Sequence, residues 1–243
     1  VAMFPQDGAN AEALLKRAEI AMRRAKEQGL NAFQMFTAEM GSRVAERVSL
    51  EDDLRLAIDR DEFELHYQPR VDAKSGRIHG AEALIRWNHA RRGAVPPASF
   101  IPLAEDTGLI LPIGEWALRR ACMQNREWQR AGLKPITVAV NISARQFRQP
   151  ELASRVGALL REIGLEARWL ELELTESLVM HDAEAVIAIL RELKAMGVLL
   201  AIDDFGTGYS SLSYLKRFPV DHLKVDQSFV RGIATDADDA ALV

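Results

Sequence analysis

Polar residues stand at the ends of short apolar runs in this chain. Asn141 closes ITVAVN, Glu173 closes WLELE, Asp203 and Asp204 close VLLAIDD, and Lys224 and Asp226 belong to HLKVD. Glu82 lies inside a further run, RIHGAEALIRW. Carboxylates gathered without an opposing charge repel one another, so such a group calls for a cation. Oxygen donors from Asp, Glu and Asn suit hard Mg2+ or Mn2+ better than zinc. His66, His79, His89, His181 and His222 form no HxH or HxxxH pair, and Cys122 is the one cysteine, so a His/Cys zinc site is disfavoured. Divalent ions on an acidic rim point to phosphoryl chemistry, in which a pair of ions stabilises the attacking and leaving oxygens. Lys224 among the acids could hold a phosphate oxygen or the attacking water. Taken singly, each residue has a plainer reading. Glu173 or Asp203 could be a cap, Asn141 a strand terminator, Lys224 a surface charge, and Glu176 the cap of a following helix.

Bringing these residues together requires elements that end at one place. FELHYQPRV and RIHGAEALIRW flank a turn cluster, Asp72–Gly76, and read as a hairpin. Beyond it, helix and strand signals alternate. Helix 114–131 precedes strand 136–141, helix 151–163 precedes strand 169–174, and helix 183–196 precedes strand 198–203. A short helix near 211–217 precedes strand 222–226. The strands are short and apolar, as expected when helices cover both faces, and a parallel sheet follows. In such a sheet the C-terminal strand ends share one rim, where ligands bind. The stretch Gly206–Ser211, with two glycines directly after the Asp pair, reads as a loop that can approach a ligand closely.

The remaining sequence bounds the answer. The 243 residues are 48% hydrophobic and 27% charged, enough apolar content for a core. A formal net charge of -4 argues against a protein that coats long nucleic acid. A lone cysteine fits a reducing cytoplasm, and no apolar run approaches the roughly 18 residues of a membrane helix. Cys122, in an apolar helix, reads as core. Upstream, residues 10–28 have helical spacing, 32–36 could be a short strand, and 39–60 read as a connecting helix. Both ends read as cut, since the chain begins at Val1 and its last helix signal, from Asp236, stops without a tail.

Glu82-Ala83-Leu84, Val140-Asn141-Ile142-Ser143, Glu173-Leu174-Thr175-Glu176, Asp203-Asp204-Phe205-Gly206-Thr207-Gly208 and Lys224-Val225-Asp226 resemble, in order and spacing, the EAL family of cyclic di-GMP phosphodiesterases. The resemblance implies an α/β fold, a modified TIM (β/α)8 barrel with an antiparallel first strand, in agreement with the hairpin. It implies hydrolysis of one phosphodiester bond of cyclic di-GMP to linear pGpG with Mg2+ or Mn2+, as two ions. Carried over by position, Glu82, Asn141, Glu173 and Asp203 match metal ligands, and Asp204 bridges or binds the second ion. Lys224 matches the catalytic lysine, and Glu176 matches the glutamate that holds the loop 205–211. Gln68, Leu84 and Arg86 match positions that contact the dinucleotide, and Asp226 is a further rim carboxylate.

Residues 1–36 resemble the tail of a GGDEF diguanylate cyclase domain, with Glu19 and Arg23 where that family more often has Asp and Tyr. The reading is thus 1–36 as a GGDEF remnant, 37–60 as a connecting helix and 61–243 as the EAL barrel, in a parent with an upstream cyclase-like domain. The family continues with two further strands carrying a glutamate and a glutamine motif. The stretch from Asp61 is shorter than the about 250 residues typical of eight units. The barrel is therefore expected to lack its last strands, this chain alone to be inactive, and its open edges to favour a homodimer. The alternatives are a silent cyclic di-GMP receptor and a protein-interaction module that uses only the barrel's shape.

Overall fold

In a computed structural model the chain is described for residues 1–27, 29, 32–176, 178, 183–206 and 217–243. The chain separates into two compact units, Val1–Leu56 and Ala57–Val243.

In the first unit, helix α1 (Ala11–Glu27) is followed by helix α2 (Ala38–Leu56). Asn10 starts α1 by accepting the Ala13 backbone N–H at 2.8 Å, which satisfies a donor the helix cannot use itself. The strand expected at 32–36 does not form. A strand needs a partner along its length, and this segment instead exchanges backbone bonds with Val1, at Gln34 and Phe36. Helix α2 ends at Leu56, short of the expected 60.

The second unit carries a sheet ordered β1-β2-β4-β5-β6-β7, with the short β3 (Gly93–Val95) on β2. Strands β1 (Phe63–Val71) and β2 (Ile78–His89) are antiparallel. From β2 onward, β4 (Thr137–Asn141), β5 (Leu170–Thr175), β6 (Leu199–Phe205) and β7 (His222–Val225) pair in parallel. This is the modified barrel architecture with an antiparallel first strand, and among the described residues β1 and β7 are its edges. Helices α3 (Pro97–Thr107), α4 (Ile110–Arg130), α5 (Ala144–Phe147), α6 (Leu152–Ile163), α7 (Ala183–Ala195), α8 (Gln227–Gly232) and α9 (Ala237–Leu242) complete the unit. The sequence reading passes over α3, α5, α8 and β3, and starts α4 four residues late. The helix expected near 211–217 falls almost wholly outside the described residues, as do positions 207–211 of the loop.

The expectation of helices over both sheet faces is corrected. Successive strand side chains alternate between faces. Val138, Val140, Leu170, Leu172, Leu174, Leu200 and Ile202 share one face and build a core with Leu118 and Cys122 of α4, Val156 and Leu160 of α6, and Leu190 and Leu193 of α7. The other face carries Glu82, Ala139, Asn141, Glu171, Glu173, Ala201 and Asp203, so the strands read apolar out and polar in. A second cluster lies outside β1 and β2, where Trp87 meets Phe100 edge to face at 5.5 Å and Phe63 packs on Trp116 at 5.7 Å. Trp87 Nε1 donates to the buried Glu62 carboxylate at 2.9 Å, so the indole keeps its polar end satisfied.

Candidate functional site

The parallel register carries the polar residues to one rim. Asn141 pairs with Glu173 across β4 and β5, and Asp203 pairs with Thr175 one strand further. Donor oxygens of Glu82, Glu173 and Asp203 all lie within 4.8 Å of one another. Lys224 Nζ from β7 donates to all three, at 3.2 Å to Glu82, 2.6 Å to Glu173 and 2.9 Å to Asp203. Asn141 Nδ2 donates to Glu82 Oε1 at 2.9 Å. Residues far apart in sequence thus meet in one hydrogen-bonded group.

Burial differs sharply within the group, and with it the proton affinity. The Glu173 side chain is fully buried, and burial pushes its pKa up to about 7 against the pull of Lys224, with the Glu82 and Asp203 charges adding to the rise. For Lys224 burial works against the ammonium, but hydrogen bonds to Asp203 and Glu173 outweigh it and hold the pKa above its ordinary value. These contacts favour the charged ammonium.

The Asp pair depends on an irregularity in β6. Its register with β7 shifts between Ile202 and Phe205, and Asp204 takes a left-handed backbone with φ 54°. A bulge re-aims a side chain that strict alternation would place on the opposite face. Asp204 is exposed, outside the group whose donor oxygens lie within 4.8 Å. Its pKa is raised by partial burial first and then by the charges of Asp203 and Asp226. Glu176 is buried directly after β5, and its Oε2 accepts the Gly206 backbone N–H at 2.8 Å, at the start of the segment that follows the Asp pair.

The remaining sequence-predicted residues lie on β1 and β2 or after β7. Gln68 is exposed and faces Glu82 in the antiparallel register. Leu84 and Arg86 share the Glu82 face of β2, and Arg86 donates to the Ile85 carbonyl at 2.9 Å. Asp226 caps α8 by accepting the Ser228 backbone N–H at 2.8 Å. Hydrogen bonds from the Ser228 hydroxyl and then its N–H lower its pKa, so this carboxylate is engaged by its own helix.

The sequence reading missed three polar residues one layer beneath the rim: Arg70, Glu171 and His222. The available signal was the two-residue strand period. Glu171 precedes Glu173 by two and His222 precedes Lys224 by two, while Arg70 follows Gln68 by two on the antiparallel strand. Arg70 donates to Glu171 Oε1 at 2.5 Å, and His222 Nδ1 lies 2.8 Å from Glu171 Oε2.

The donor set of this rim is all oxygen, with the one amide nitrogen turned to Glu82, and it fits a hard divalent ion by its chemistry. Among the described residues, no helix is long and apolar enough to cross a membrane.

Comparison with known proteins agrees with this geometry. The family profile described as "EAL domain" matches residues 51–243. The bifunctional diguanylate cyclase/cyclic di-GMP phosphodiesterase MucR of Pseudomonas aeruginosa is 47% identical over 243 residues, covering 100% of this chain and 36% of that protein. The cyclic di-GMP phosphodiesterase PdeR of Escherichia coli is 40% identical over 233 residues, 96% of this chain and 35% of that protein. The chain thus spans about a third of the length of these curated relatives. Among solved structures, the PaMucR phosphodiesterase in complex with c-di-GMP superposes with a TM-score of 0.76 at 50% identity, covering 80% of this chain and 78% of that one.

Proposed function

We propose, from the premise that this chain belongs to the EAL domain family, that it is the catalytic barrel of a phosphodiesterase that hydrolyses cyclic di-GMP to linear pGpG. One observation carries the reading: carboxylates from β2, β5 and β6 converge within 4.8 Å at the rim, joined there by Lys224.

Glu82, Asn141, Glu173, Asp203 and Asp204 would hold Mg2+ or Mn2+, as two ions. Such ions, when bound, polarise the phosphodiester and lower the pKa of a water. The chain's own residues then divide the work. The Lys224 ammonium orients the attacking water or a phosphate oxygen. Asp204, the second carboxylate of the pair, would take the proton from the attacking water. Glu176 holds the backbone of Gly206 and so keeps the Asp pair in place. Gln68, Leu84, Arg86 and Asp226 flank the rim as contacts for the dinucleotide. Water oxygen bonds to phosphorus, the bond to the 3′ oxygen breaks, and that oxygen leaves with a proton, so the phosphate remains on the 5′ side.

Residues 1–36 are the end of a GGDEF domain in this reading, joined through the helix of 37–60 to the barrel of 61–243. The relative named as a bifunctional diguanylate cyclase/cyclic di-GMP phosphodiesterase supports a cyclase-type domain beside the barrel. The protein acts in the cytoplasm, where the cyclic dinucleotide is a bacterial signal.

The test is release of pGpG from cyclic di-GMP, with Mn2+, by the protein that contains this chain, against Glu82→Ala and Asp203→Ala. Each substitution is expected to lower kcat by at least about 100-fold, or ~2.7 kcal/mol. Equal rates in variant and parent would refute the site.

A further inference from the structure

Side-chain alternation builds a second interior layer two residues below the rim. There Gly80 lies below Glu82, Ala139 below Asn141 and Ala201 below Asp203, all small. Interiors of such barrels are usually filled by bulky branched residues. Here the layer instead carries the half-buried Arg70, the buried Glu171 and, at its exposed edge, His222. A Cβ on Gly80 would press on the Thr137 carbonyl oxygen of the neighbouring strand at 3.1 Å and would meet Arg70 Cδ only at an ordinary 3.8 Å, so the glycine serves the close approach of β2 and β4.

Glu171 is 1% exposed, and both its oxygens are engaged, Oε1 by Arg70 and Oε2 by His222. It anchors side chains from both edge strands, β1 and β7. The same Arg70 nitrogen lies 3.5 Å from Oε1 of Glu173. That oxygen is buried and accepts no hydrogen bond, while Oε2 of the same carboxylate faces Lys224 at 2.6 Å. Glu173 thus has a rim end and an interior end, and Arg70 is the cation at the interior end.

We propose that Arg70 is a positioning residue for Glu173: anchored by Glu171, it holds the interior oxygen and so fixes the oxygen that Glu173 presents to a divalent ion. The proposal rests on the rim's being a metal centre. A separation of 3.5 Å is too long for a well-formed hydrogen bond here, but in a dry interior a charge at that range acts several times more strongly than in water. Without it the interior oxygen would have no counter-charge, and the carboxylate would turn toward the rim cations. A buried ion pair adds little net stability over apolar side chains of the same size, so Arg70→Met is compatible with a folded barrel.

The test is calorimetric titration of the full chain with Mn2+, alongside its melting temperature. Loss of a group that orients a ligating side chain typically weakens metal binding about 10–100-fold, and Arg70→Met is expected in that range. Arg70→Lys, which restores a cation, recovers most of the affinity. Glu171→Gln, which removes the anchor's charge and leaves Arg70 in place, falls between. A cation acting only through space would repel the ion, so its removal would tighten binding. Unchanged or tighter Mn2+ binding by folded Arg70→Met overturns the proposal while leaving the metal centre intact. Absence of Mn2+ binding by the unsubstituted chain overturns the metal-centre reading, and this proposal with it.

Discussion

The two faces of β2 follow opposite rules. Outward, Ala81, Ala83 and Trp87 are buried among aromatic and aliphatic side chains, and the one polar atom of Trp87 has its acceptor. Inward, Glu82 shares a cation with two other carboxylates, and Glu173 keeps an interior oxygen with no hydrogen bond. The outer face gains stability from contact area. The inner face concentrates like charges that favour a cation over a compact chain. Stability and chemistry are therefore separable by strand parity, and a substitution should disturb one or the other according to which face it occupies.

The largest effect is expected outside. Trp87 is fully buried, and Trp87→Ala removes its contacts with Phe63 and Phe100 and strands the buried Glu62 carboxylate. A loss of about 3–5 kcal/mol is expected, read from the urea midpoint. A midpoint shifted by less than a quarter of this would show that the outer face does not carry the fold.

Inside, the sign reverses. The folded-state pKa of Glu173, about 7, lies above its ordinary 4.5, so the folded chain holds this proton more tightly than the unfolded one. Its contribution to stability is complete below the unfolded value and is lost as pH rises through the folded value. With chelator present, the unsubstituted chain should lose on the order of 1–3 kcal/mol from this group between about pH 4.5 and pH 7.5. Glu173→Gln should flatten that slope and, at pH 7.5, be no less stable than the parent. Parallel slopes for the two proteins would break the contrast between the faces.

The parity also separates what was legible in the sequence from what was not. LELELT over Leu170–Thr175 displays the alternation directly, and the strand ends at Asn141, Glu173, Asp203 and Lys224 could be aligned because parallel strands share a rim. The layer below could not be found by looking at strand ends. Glu171 sits inside β5 and His222 opens β7 at the end away from the rim, where a polar residue reads as solvent-facing until the sheet is known to curl. Asp204 reads as facing away from Asp203 under strict alternation, and the bulge that re-aims it has no turn residue to announce it. The segment 32–36 has strand composition but meets no strand to pair with, and pairing is a tertiary fact. Helix α3 begins Pro97-Ala98-Ser99, and the proline, which suits a first helical turn, reads equally well as loop.

Labelling of Cys122 tests the contrast by a route independent of denaturant. This thiol lies in α4 within the core packed on the outer sheet face, and burial pushes its pKa up to about 12. At pH 8 the thiol is thus held protonated, and Cys122 is 1% exposed, so alkylation must wait for the outer face to open. Iodoacetamide should leave the folded parent unlabelled over hours. Because labelling through a rapid opening follows the free energy of that opening, Trp87→Ala should label far faster at the same pH. Glu173→Gln, on the inner face and relieved of a buried charge, should label no faster than the parent. Rapid labelling in Glu173→Gln would mean that the charged interior supports the outer core after all, and that the two faces of the sheet are energetically one.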